Sequence, residues 1–188
     1  MEITRAARFG PALARDNVPF ILDPRLQEVA SFGSDKGLDV PDLKAWLRDV
    51  EKTGEKKVAF DWEKIDLSDV KEGWNSKEGY WAYTKSALTA RATDVRNALF
   101  KRPEEHIIVV SHGAIAHFIT EDWEVDNPMT GTTWANCEVR DYLFSEASEE
   151  GNAHLVETAK SVGRRPKYVR TGEKDQHVVQ ELEMVEDQ

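Results

Sequence analysis

The residues most suited to chemistry in this chain are Ser111, His112 and Gly113, in the stretch IIVVSHGAIAHFIT at positions 107 to 120. Four β-branched residues, Ile107 to Val110, lead into the triplet, and a run with helical spacing of apolar positions follows it. That order predicts strand, turn, helix. A histidine at such a turn can hold an anion as a cation, or move a proton near neutral pH. The N–H groups that open the helix add unsatisfied donors and a positive dipole end. Gly113 lets backbone approach a ligand closely, and Ala114 follows it into the first turn. A histidine that merely closes a turn is the bland alternative.

The same layout also suits a nucleophile elbow with Ser111 attacking, but that pattern requires G-x-S-x-G and Val109 stands where its first glycine belongs. Metal binding fits less well. His112 and His117 are five apart, and Glu121 and Asp122 complete no ligand spacing. Neither G-x-G-x-x-G nor G-x-x-x-x-G-K-S/T occurs, so neither metal nor cofactor is expected.

Composition narrows the classes further. The chain has 188 residues, enough for one domain with a buried core. It carries 35 Asp plus Glu against 25 Lys plus Arg, a net charge of −10 spread along its length. That argues against nucleic acid or an anionic membrane as the main partner. No apolar run approaches spanning length, and MEITRAARFG lacks an apolar leader core. The single Cys137 can make no internal disulfide, which points to a reducing, cytoplasmic setting.

The elements that must position the triplet can be read in order. Residues 1 to 37 are irregular or mixed, with turns at Gly10-Pro11, Asp23-Pro24 and Gly33. Asp39 can cap a helix in which Leu43, Trp46, Leu47 and Val50 share a face. An aromatic-rich segment, 58 to 83, holds Phe60, Trp62, Trp74, Tyr80, Trp81 and Tyr83, with packing the favoured role over substrate contact. A second helix spans Thr84 to Phe100 with Leu88, Ala92, Val95 and Leu99 on its apolar face. Arg91 and Arg96 are expected on its solvated side. CEVRDYLFS and AHLVET read as strands, the latter at an edge, with Cys137 a buried, inert thiol. Residues 1 to 162 thus form an α/β domain, and 163 to 188 a polar, charged tail.

Taken together these segments resemble the histidine phosphatase superfamily, the phosphoglycerate-mutase-like proteins. DPRLQE (23 to 28), RPEEHIIVVSHGAIAHFITEDW (102 to 123), GTTWANCEVRDYLF (131 to 144) and AHLVET occur in the family's order. The resemblance implies a mixed central sheet flanked by helices, with the aromatic segment near the pocket mouth. It implies phosphoryl transfer through a phosphohistidine, in a cradle of two histidines and two arginines. His112 matches the second histidine and Glu28 the acid that protonates the leaving oxygen. Ser111, Gly113, Ala114 and Trp134 fall at the pocket. The family's first strand, with its R-H-G nucleophile, has no counterpart here, and Arg5 stands in poorly for the second arginine.

Phosphoryl transfer depends on positive charge around the equatorial oxygens, so this chain alone is not expected to act as a phosphatase. The expectation is a repurposed pocket. His112 and Glu28 would do acid–base work on a small organic molecule, anionic in one version, as an isomerase, lyase or hydrolase. A phosphomonoesterase whose N-terminal catalytic segment is absent is the alternative, and a non-catalytic binding relative the third. Because the first strand is missing or replaced, the apolar IIVV strand needs cover, and the expected source is a homodimer or a rearranged sheet that re-uses an N-terminal segment.

Overall fold

The computed structural model describes residues 18–30, 33, 35–53, 64–122, 134–135 and 137–165. The chain separates into two compact units: Met1–Pro24 with Lys36–Ser76, and Arg25–Asp35 with Lys77–Gln188.

In the first unit, β1 (Phe20–Ile21) pairs in parallel with β2 (Ile65–Asp66). Helix α1 (Val40–Thr53) begins where the sequence places it, with Leu43 N–H donating to the Asp39 carbonyl. Leu43 and Leu47 are buried on its inner face. Asn75, itself buried, ties the approach to this helix by donating to the Gly37 carbonyl at 2.7 Å and the Asp39 carboxylate at 2.9 Å. Gly37 is required there, because a Cβ would lie 2.1 Å from the Trp74 indole. Trp74 is therefore a packing residue.

The second unit is built on α2 (Lys85–Phe100) and α3 (Gly113–Thr120). Thr84 caps α2, its hydroxyl accepting from the Ala87 N–H. Leu88, Ala92 and Val95 from α2 meet Ala114, Ile115, Phe118 and Ile119 from α3 around Val29 in one apolar core. Tyr83 and Leu155 pack against it. The strands β3 (Tyr142–Phe144) and β4 (Leu155–Glu157) pair antiparallel, with Leu143 opposite Val156. Thr158 then caps the short α4 (Ala159–Arg164).

Helices and small sheets are thus mixed, as an α/β reading requires, and each described sheet has two strands. Three local expectations need correcting. Ile107 to Val110 is no strand: it is irregular chain with all four side chains exposed, Ile108 at 71%. It shares no backbone hydrogen bond with another described residue, because β pairing needs a second strand that local propensity cannot supply. Cys137 is exposed, in a left-handed turn with φ of 63°, not inside a strand. Arg91 and Arg96 are buried rather than solvated.

No described helix is long and apolar enough to cross a membrane. Residues 1–17, including Arg5, and residues 166–188 of the tail lie outside the described residues, as does Trp62.

Candidate functional site

Glu28 and His112 meet within the second unit. Glu28 follows a 3-10 turn (Pro24–Leu26), and its Oε1 accepts from the Val29 N–H at 2.8 Å. The same carboxyl accepts from the backbone of Ile115, in the first turn of α3. It therefore supplies the acceptor that His112, the N-cap residue, does not, since the imidazole makes no cap hydrogen bond. His112 instead turns its Nδ1 toward Glu28, 3.6 Å from Oε2. The Ser111 hydroxyl donates to the Leu26 carbonyl at 3.0 Å, fastening the turn to the loop that carries Glu28.

Burial is the largest influence on Glu28 and pushes its pKa above the ordinary 4.5, with the Asp35 charge adding to the rise. The two backbone donors and Lys77 oppose it. The net result is a carboxyl that keeps its proton to higher pH than an ordinary glutamate does. His112 is about one-third exposed, whereas Glu28 is nearly enclosed, so the imidazole is the more exposed member of the pair.

Two cations stand beside the pair. Lys77 Nζ donates to the Glu28 carbonyl at 2.7 Å, and Arg91 Nη2 to the Gln27 carbonyl at 3.2 Å. Burial, followed by the nearby Arg91 charge, pushes Lys77 down to about 8, while Glu28 and Asp35 oppose the fall. Burial likewise lowers Arg91 to about 10. Between about 8 and 10.5 the unfolded chain then binds more protons at Lys77 than the folded one. Stability contributed by this residue accordingly rises with pH across that window. We expect Lys77→Met to flatten the slope of unfolding free energy between pH 8 and 10, measured by urea denaturation.

Of the residues expected at the site, Glu28, His112, Ser111 and Gly113 are brought together. Ala114 packs its methyl into the apolar core. Trp134 is engaged otherwise: the Arg140 guanidinium lies 3.8 Å over its ring and Tyr142 stacks on it. Lys77 and Arg91 were missed. Helical spacing held the signal for Arg91, which stands three residues after Leu88 on the stripe that α2 buries. Among the described residues, no group of three or more His, Cys, Asp or Glu is placed to hold a metal.

No family model matches this chain, and no curated protein or solved structure matches it.

Proposed function

We propose that the protein is an enzyme performing acid–base chemistry on a small organic molecule through His112 and Glu28, in a pocket that does not use a phosphohistidine. The single observation carrying this reading is the approach of Glu28 Oε2 to within 3.6 Å of His112 Nδ1. Closing that gap to about 2.8 Å gives a direct hydrogen bond, a tightening ordinary on substrate binding.

The pair then has two working states. With Glu28 ionised, Nδ1–H donates to the carboxylate and leaves Nε2 a base. With Glu28 protonated, its O–H donates to Nδ1 and Nε2 carries the proton as an acid. An isomerisation or elimination needs one group to alternate in this way. The competing reading, a non-catalytic protein, also has an observation behind it. Glu28 accepts from Val29 and Ile115, which is a purely structural use of the same carboxylate. Glu28→Gln tests between them, since it keeps one acceptor for those donors and loses the titration.

The phosphatase alternative is checked with p-nitrophenyl phosphate. We expect no hydrolysis by the wild type or by His112→Ala. Turnover that disappears in His112→Ala would overturn the exclusion of phosphohistidine chemistry.

We further propose that a second copy of the chain covers Ile107 to Val110. Among the described residues none pairs with their backbone, and their exposed side chains suit edge-to-edge pairing about a two-fold axis. Light scattering should report a dimer that Ile108→Lys dissociates; a monomeric wild type contradicts it.

A further inference from the structure

Arg91 and Lys77 do something that the acid–base reading leaves unexplained. Arg91 is the largest fully buried side chain described, with no exposed surface. Only its Nη2 has an acceptor, the Gln27 carbonyl, while Nε and Nη1 have none. A guanidinium carries five N–H donors, and a buried one left short of acceptors is strongly unfavourable unless an anion arrives. Lys77, partly exposed, is anchored on the next carbonyl along, that of Glu28.

The charges around them can be named element by element. Glu28 and Asp35, from the loop after the 3-10 turn, face Lys77, and Glu28 and Tyr80 face Arg91. The Tyr80 hydroxyl donates to the Asp94 carboxylate of α2, and Arg25 to the Asp94 carbonyl. His112 from the head of α3 faces Glu28. Lys77, Arg91 and Arg25 balance Glu28, Asp35 and Asp94 when all three carboxyls are ionised. With Glu28 neutral, one positive charge is left over.

We propose that Lys77 and Arg91 form the anion-binding half of the site, that its ligand is a singly charged organic carboxylate, and that binding delivers a proton to Glu28. This rests on the reading of Glu28 and His112 as the reacting pair. Lys77 makes the first contact, and Arg91 supplies its unpaired donors as Lys77 shifts toward the ligand. One surplus charge compensates a monoanion, whereas a dianion would leave a buried negative charge unmatched. A second negative charge beside Glu28 favours its neutral form, so ligand and proton bind together. The substrate thereby loads the general acid that it needs.

The test is a titration of the full chain with benzoate and acetate as monoanion probes and inorganic phosphate at pH 8 as the dianion probe. Ionic strength is held with sodium chloride, and amide resonances report binding. We expect saturable carboxylate binding at pH 6.5, weakened about tenfold or more in Arg91→Met and in Lys77→Met, as loss of a charge-assisted hydrogen bond requires. Heats measured in two buffers should show uptake of up to about one proton, absent in Glu28→Gln. If Arg91→Met fails to fold, Lys77→Met carries the same comparison. Carboxylate binding that survives in His112→Asn while no turnover is found supports this site and counts against the acid–base reading alone. Binding no different from chloride, binding indifferent to the substitutions, or phosphate bound about tenfold tighter than either carboxylate overturns the proposal.

Discussion

Arg96→Met is expected to destabilise the second unit by about 2–4 kcal/mol, since each buried acceptor left without its donor costs about 1–3 kcal/mol. The wild-type guanidinium donates to the Ala153 carbonyl at 2.8 Å and the Phe118 carbonyl at 2.9 Å. It reaches the Ile119 carbonyl at 3.4 Å and pairs with Glu121 at 3.2 Å. Phe118 and Ile119 lie in the last turn of α3, where carbonyls have no partner within the helix. Arg96 thus closes the C-terminal end of the helix whose N-terminal end Glu28 closes. Methionine keeps the aliphatic bulk and removes every donor, so the loss reports polar contacts rather than a cavity. Glu121 also lies 3.0 Å from His154 Nδ1, a contact that the substitution leaves in place. Urea denaturation at pH 7 measures the effect. A loss under about 1 kcal/mol would mean that water takes over the carbonyls.

The second large effect concerns the reacting pair. For any substrate turned over by this protein, Glu28→Gln and His112→Asn should each lower kcat by about 10²- to 10⁴-fold, the ordinary worth of a positioned general acid or base. The two losses should not add, because both residues hold one proton between them. Stability should move differently. Burial raises Glu28 above its ordinary 4.5, so the folded chain holds this proton after the unfolded chain has released it. Its favourable contribution is complete below pH 4.5 and fades as pH rises through the folded value. Glu28→Gln removes that decline, leaving a flatter profile from pH 4.5 toward neutrality. A variant that loses activity but keeps this altered stability profile separates chemistry from helix capping.

What the sequence disclosed follows from how local each feature is. The start of the helix after Asp39, the helix over Thr84 to Phe100, and the apolar faces of Leu43 with Leu47 and of Leu88 with Val95 are set within a few turns of chain. They appear in the structure where spacing puts them. Strand pairing is not local, and Ile107 to Val110 shows the difference: strong β-branched character, and no described strand beside it. Arg91 and Arg96 were legible but misread. They fall three and eight residues after Leu88, on the buried stripe, although arginine is a residue type that is seldom fully buried. The meeting of Glu28 with His112 spans the chain from one loop to another. No spacing rule reaches that far, and only the resemblance to an acid–histidine pocket put the two residues together.

The central claim is that Glu28 is a proton donor held beside His112, and its own titration tests this most directly. Carbon-13 NMR of the Glu28 side-chain carboxyl, followed from pH 3 to 8 in the wild type and in His112→Asn, reads the group without any knowledge of the substrate. The wild-type midpoint is expected above 4.5 and is expected to move on substitution of His112. A midpoint at or below 4.5 that ignores His112 would make Glu28 an ionised helix cap, and the acid–base reading would be wrong.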